Sequence, residues 1–254
     1  MNRNPFLDFV KGILILLVVI GHAIQYVAYQ NEGYWGDPLF TAIYMFHMPL
    51  FMTLSGYLSY SGMQKEKIVP YLTGKAHAYV IPVLAWAVFS ATILVAHSYR
   101  HLSVSYIIAV ICASVGGPWF LWALFGSLVL TVSAKLTGRF FPVTYVLLLI
   151  AIFFMPDEGG VFLLKYLFPF FQIGYLLAAY GVPRLNDTWR KVAFVISGIS
   201  FIMCHQLWNE NAYVYLSKTV LGGGFWKCDL ALSGGICGIL FCYHVLRAFL
   251  WENP

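Results

Sequence analysis

Residues 7–25, LDFVKGILILLVVIGHAIQ, constrain this chain more than any other stretch. The run is apolar enough to sit in a bilayer, yet it carries Asp8, Lys11 and His22. An ionisable group on a membrane helix is costly, so it tends to face a cavity or a partner. Lys11 and His22 are separated by close to three turns at ~3.6 residues per turn, which puts them on one face, roughly 16 Å apart along the axis. Asp8 stands one turn before Lys11 on nearly the same face. One stripe therefore carries an acid and a base near the helix start and an imidazole near its far end. The run is too long for a secretory leader and has no small-residue cleavage site after it, so it reads as a retained helix.

The rest of the chain supports a membrane reading. Of its 254 residues, 61% are hydrophobic and 10% charged, against about 25% charged in an average soluble protein. The mean hydropathy is +0.78. The expected fold is all-α: a polytopic transmembrane helical bundle of about eight spans plus one short re-entrant or interfacial helix. The spans are expected near Leu7–Ala28, Pro38–Ser61, Ala76–His97, Trp119–Leu136, Phe141–Met155, Val161–Tyr180, Lys191–Trp208 and Asp229–Trp251. The apolar run Val104–Gly116 is too short for a full span and ends at a Gly-Gly-Pro break. A polar, Gly-rich loop is expected over Asn209–Trp226. The whole chain, 1–254, is taken as one integral membrane domain.

Charge fixes the orientation, because basic residues concentrate in cytoplasmic loops. With both termini cytoplasmic, the inner side holds Arg3, Lys11, Lys65, Lys67, Lys75, Lys135, Arg139, Arg184, Arg190, Lys191 and Arg247. The outer side holds only Arg100, Lys165, Lys218 and Lys227. Asp8 and Lys11 then lie near the cytoplasmic face and His22 towards the outer half. The net charge of +5 is spread over short loops, which argues against a nucleic-acid partner.

Histidine dominates the candidate chemistry. A neutral imidazole takes the proton of a hydroxyl as that oxygen attacks a carbonyl. His22 is the first candidate, although a lone helix histidine often just bonds a neighbour. His47, in YMFHMPLFMTLSGYL, falls near mid-membrane. Pro49 beside it loosens the helix and frees backbone carbonyls, and Ser55 and Gly56 permit close helix contact. Two histidines on consecutive antiparallel helices face one cavity in this reading, with helix packing the competing role. Lys11 suits a phosphate or Asp8, and lysines at helix ends also snorkel to the interface. Lys65, Lys67 and Lys75 form a basic cytoplasmic patch for anionic lipid or a phosphorylated cofactor. The aromatic start of GGPWFLWALF serves as an interfacial anchor or as a wall for an acyl chain or sugar, and LFPFFQIGYLLAAYG, with Gln172, as a packing helix.

Other chemistries lack their motifs. No Walker loop, GxGxxG, GxSxG or HExxH is present, and no Cys/His cluster has metal-ligand spacing, so no metal site is expected. Cys112, Cys204, Cys228, Cys237 and Cys242 form no CxxC pair and read as small hydrophobes, with a Cys204–Cys228 disulfide left open.

The stretch LDFVKGILILLVVIGH resembles the motif of the membrane-bound acyltransferase-3 family, an arginine or lysine and a histidine with ten residues between them. FHMPLFMTLSGYL is similar to that family's second-helix signature. The run from Lys75 to Trp86, PWFLWALF and FPFFQIGYLL resemble later segments. The resemblance implies a bacterial inner-membrane enzyme that moves an acyl group, usually acetyl from acetyl-CoA, to a hydroxyl of a cell-surface or lipid-linked glycan. His22 matches the family's essential histidine and Lys11 the basic residue, with Asp8 and His47 at further motif positions. The catalytic candidates are therefore His22, His47 and Asp8. The candidates for holding acetyl-CoA are Lys11, Lys65, Lys67 and Lys75. Ser55, Trp119 and Gln172 are candidate substrate contacts, with packing as the competing role. The expected spans are fewer than family members commonly carry.

The rival class is a proton-coupled transporter, since intramembrane histidines and broken helices also mark transport pathways. No inverted repeat supports it. A third reading is an assembly protein in which the polar stripe only pairs helices.

Overall fold

The computed structural model describes residues 5–97, 103–156, 158, 160–181, 186–209, 212–213 and 225–251, with side chains at 230–244 of the last segment. No strand occurs among the described residues. Helix α1 is Pro5–His22 and continues into a π-helical turn, Ala23–Ala28. A 3-10 turn, Tyr34–Gly36, leads to α2, Pro38–Lys65, and then α3, Ile68–His97. Helices α4, Val104–Gly116, and α5, Trp119–Leu136, follow. A 3-10 turn, Gly138–Phe140, leads into α6, Phe141–Phe154. Helix α7 is Val161–Tyr180, α8 is Asp187–Leu207 and α9 is Phe225–Trp251.

Among the described residues, five helical stretches are long and apolar enough to cross a bilayer: Pro5–Ala28, Pro38–Lys65, Ile68–His97, Trp119–Leu136 and Val161–Tyr180. Val104–Gly116, Gly138–Phe154 and Leu230–His244 are shorter apolar helices. Helix α8 is long enough, but its first turns carry Asp187, Arg190 and Lys191. The sequence placed α4 and α7 at their observed bounds. It misplaced the turn between α2 and α3. The expected basic loop contracts to Glu66 and Lys67, because Gln64, Lys65 and the residues after Ile68 continue the helices. Hydropathy marks where a helix leaves the membrane, not where it ends, and Gln, Lys and Glu are good helix formers. Lys75 therefore sits on α3, two turns in. Most of the expected loop Asn209–Trp226 lies outside the described residues.

The helix ends are written locally. Asp37 Oδ1 accepts from Phe40 N at 2.8 Å at the start of α2. Ser103 and Asn186 do the same for α4 and α8, satisfying backbone donors that a helix leaves open. Gly160 and Gly181 bracket α7 at φ +85° and +87°, where only glycine is unstrained.

The chain forms two compact units. One comprises 1–58 with 155–254, the other Ser59–Phe154. In the first, α2 and α7 are the most enclosed helices. They touch backbone to backbone: a methyl on Gly56 would strike the Phe171 carbonyl, and one on Gly174 the Thr53 carbonyl and, at 2.9 Å, the Tyr57 nitrogen. Small residues at such a crossing let helices approach where no hydrophobic force draws them together. Helix α9 lies on α2 through another glycine face. Gly234 abuts Met45, Gly235 abuts Pro49, and Gly238 abuts Phe46. Helix α1 joins α2 through Val10, Leu14 and Leu54, flanked by Phe6, Leu17 and Phe51. Cys204 is a free thiol against Cys237, and the Cys228 side chain lies outside the described residues.

In the second unit α3 packs on α4 and α5, and α5 on α6. Thr131 Oγ1 and Tyr145 OH meet at 3.2 Å between α5 and α6. Lys135 Nζ donates to the Met63 carbonyl and, at 3.5 Å, to Gln64 Oε1. A base counted with the inner-side charges thus caps the C-terminal end of α2.

Candidate functional site

His22 ends α1, and the backbone changes from α to π at the next residue. Such π turns are rare and often mark functional sites. The His22 ring is exposed. It stacks on Tyr26 with centroids 5.7 Å apart, and its Nδ1 lies 3.5 Å from Tyr44 OH. That is a long contact, of the kind that tightens when substrate arrives.

Tyr44 is the residue that sequence reasoning missed. It is 3% exposed, and its ring packs 4.7 Å from the His47 ring. One phenol thus touches both histidines, so the structure brings His22 and His47 together through Tyr44. Gly21 makes this fit possible: a methyl there would collide with the Tyr44 ring. The signal was present as a glycine directly before His22 and a tyrosine three residues before His47. Neither pattern is specific without the fold.

His47 is buried, and its Nδ1 lies 2.9 Å from the Ile43 carbonyl. A carbonyl only accepts, so Nδ1 carries the proton and Nε2 holds the lone pair. Thr53 Oγ1 back-bonds in the same way to the Pro49 carbonyl at 3.0 Å. Pro49 itself offers no N–H to the carbonyl of Met45, one turn before it.

An aromatic column stands on this pair. Tyr44 stacks on Phe40 at 3.9 Å. Phe40 meets Tyr34 at 5.0 Å and Tyr213 at 5.7 Å, and Trp35 lies 5.0 Å from Tyr213. Tyr213 OH and Thr41 Oγ1 are 2.8 Å apart, and both lie 3.4 Å from the Trp35 carbonyl. Burial pushes the Tyr213 phenol up to about 12, so it stays neutral. His205 Nε2 donates to the Pro38 carbonyl at 3.0 Å, tying α8 to the start of α2.

Asp8 and Lys11 stand apart from the histidines. They pair with each other at 3.4 Å, both about half exposed. Asp8 is roughly 21 Å from His22 along the helix at ~1.5 Å per residue. Lys65 and Lys67 are exposed at the turn after α2. Lys75 lies over the Tyr71 and Tyr79 rings, 5.6 and 5.9 Å from their centroids. These three lysines and Trp119 belong to the second unit, whereas Asp8, Lys11, His22, His47, Ser55 and Gln172 belong to the first. Trp119 is half-buried against Phe120 at 6.1 Å. Gln172 is buried on α7, and Ser55 half-buried on α2, each beside the Gly56–Gly174 crossing. Lys165, counted with the outer charges, is 5% exposed within α7. Among the described residues, no three His, Cys, Asp or Glu side chains gather as metal ligands.

The described residues are all-helical, with five helices long and apolar enough to cross a membrane, the class of integral membrane proteins. The acyltransferase-3 family model, described as an acyltransferase domain, matches residues 4–252, and the chain belongs to that family. It is also similar to the nodulation protein NolL of Sinorhizobium fredii (strain NBRC 101917 / NGR234), at 35% identity over 84% of this chain and 60% of the relative. NolL of Mesorhizobium japonicum (strain LMG 29417 / CECT 9101 / MAFF 303099) is 34% identical over 84% of this chain and 59% of its own length. The chain thus spans about 60% of the length of these relatives. No solved structure matches it.

Proposed function

We propose that this protein is a membrane-embedded O-acyltransferase with both termini cytoplasmic in a bacterial inner membrane. It moves an acetyl group from acetyl-CoA to a hydroxyl of a cell-surface or lipid-linked saccharide. Family membership supports acyl transfer. The observation that carries the assignment of roles is Tyr44 touching both His22 and His47, with His22 exposed to an incoming substrate.

In this reading His22 takes the proton of the acceptor hydroxyl as its oxygen attacks the thioester carbonyl. The carbon–sulfur bond breaks and the CoA sulfur leaves, receiving a proton. A route in which His22 first carries the acetyl group uses the same residues. Tyr44 holds the His22 ring, and His47, fixed by the Ile43 carbonyl, holds Tyr44. Lys11 meets a CoA phosphate. Its exposed pair with Asp8 is weak enough to yield, because such pairs contribute ~1 kcal/mol or less. Lys65, Lys67 and Lys75 supply positive charge within the second unit, suited to anionic lipid or a phosphorylated cofactor.

The test is calorimetry of acetyl-CoA binding in detergent, together with turnover of acetyl-CoA, for wild type, Lys11→Ala and His22→Ala. Saturable binding weakened by Lys11→Ala and kept by His22→Ala, with turnover lost in His22→Ala, is the expected result. A folded wild-type protein that binds no acetyl-CoA would defeat the proposal.

A further inference from the structure

The π-helical turn after His22 carries a polar group that the acyl-transfer chemistry leaves unused. Gln25 is 4% exposed. Its Nε2 donates to Asn31 Oδ1 at 3.0 Å, and its backbone carbonyl accepts from Asn31 N at 2.7 Å. Its Oε1 is buried with no partner among the described residues. Buried acceptors are nearly always satisfied, so this one calls for a donor that the described residues do not supply.

The surroundings of Gln25 also suit a ligand. Gln30 and Asn31 both take positive φ, 48° and 67°. Two consecutive non-glycine residues in that region store strain of the kind found at ligand clamps. The two hydrogen bonds between Gln25 and Asn31 hold the pair there. Beyond it, Tyr29 OH donates to Asp37 Oδ2 at 3.2 Å. The next residue on the turn, Tyr26, is 57% exposed and stacked beside the reacting imidazole. An exposed aromatic face one residue from a buried amide oxygen suits a molecule with apolar ring faces and hydroxyl edges, which is a saccharide.

We propose that the turn Ala23–Ala28 is the acceptor subsite, where Gln25 Oε1 receives a saccharide hydroxyl and the Tyr26 ring stacks on the sugar face. The subsite rests on the acyltransferase reading, because only there does a sugar hydroxyl need to reach His22. It adds residues and an orientation: the sugar approaches from the end of α1 opposite Lys11.

The experiment compares acetyl transfer to a panel of p-nitrophenyl hexosides with acetyl-CoA hydrolysis in their absence. Wild type, Gln25→Leu, Tyr26→Ala and Asn31→Gly are each measured, with donor binding by calorimetry. Gln25→Leu and Tyr26→Ala are expected to raise the KM for saccharide about tenfold, the effect of leaving a recognised hydroxyl unpaired. Donor binding should stay at wild-type values, and transfer to saccharide should fall further than saccharide-free hydrolysis. Asn31→Gly removes the clamp partner at a φ that glycine accepts, and should leave most of the saccharide affinity. A full KM rise in Asn31→Gly would make the clamp, not the amide oxygen, responsible and overturn the subsite. An unchanged KM in Gln25→Leu would do so too, as would equal losses in hydrolysis and transfer. Wild-type protein that binds acetyl-CoA but acetylates no hexoside would overturn the saccharide assignment alone. Failure to bind acetyl-CoA would overturn the acyltransferase reading and the subsite with it.

Discussion

The two ends of the first helix differ in how their chemistry is made. At one end, Asp8 and Lys11 meet through ordinary α-helical spacing, exposed, at 3.4 Å. At the other, Gly21 admits the Tyr44 ring from α2, His22 meets that tyrosine, and the backbone widens so that Gln25 turns inward to Asn31. The first end is a local feature that any α-helix with this sequence would show. The second exists only once α1 and α2 are packed. Charge placement is cheap at a helix end, whereas a reacting imidazole must be held by neighbours whose own positions are fixed.

The contrast predicts a steep gradient of effects. His22→Ala should lower acetyl-CoA turnover by about 10²–10⁴, the usual contribution of a general base, while calorimetry finds donor binding unchanged. Turnover near the wild-type value would put the chemistry elsewhere. Gly21→Ala comes next. The added methyl meets the Tyr44 ring, which cannot retreat because Phe40 stacks on it at 3.9 Å. Overpacking of this kind costs about 1–3 kcal/mol, so thermal unfolding in detergent should shift down and turnover should fall with it. A fully active, fully stable variant would show that the close approach of α1 to Tyr44 does not matter.

Smaller effects follow. Tyr44→Phe keeps the ring and removes the hydroxyl, so turnover should drop about fivefold, the worth of a ~1 kcal/mol hydrogen bond. Donor affinity should not move. At the other end, Lys11→Ala should weaken acetyl-CoA binding a few-fold, with the difference shrinking as salt is raised, because exposed charges are screened within about 10 Å at 0.1 M. A loss that ignored salt would argue against a phosphate contact. Asp8→Asn should change least: stability within about 0.5 kcal/mol and turnover close to wild type. A large loss of turnover would return Asp8 to the catalytic group.

Much of this was legible in the chain. The apolar runs located most of the helices, and the bounds of α4 and α7 follow directly from their glycine and proline punctuation. Lys11 and His22 fall on one face because both lie within the regular part of α1. Lys75 was assigned to a loop because hydropathy reports the membrane boundary, and the α-helix runs past it. In the sequence Lys135 counts only as an inner-side charge, because its acceptors, the Met63 carbonyl and Gln64, are 72 and 71 residues away in the chain.

The sequence alone determined the helical class, the polar stripe on α1 and the family motif, because these depend on spacing within one helix and on apolar length. The tertiary structure decided which polar groups meet. Tyr44 and Gln25 are ordinary residues in a list. The fold brings them to the end of α1 because Gly21 leaves room for a ring and because a π turn follows His22. Those are properties of two packed helices and a backbone irregularity, and no periodicity within a single helix encodes them.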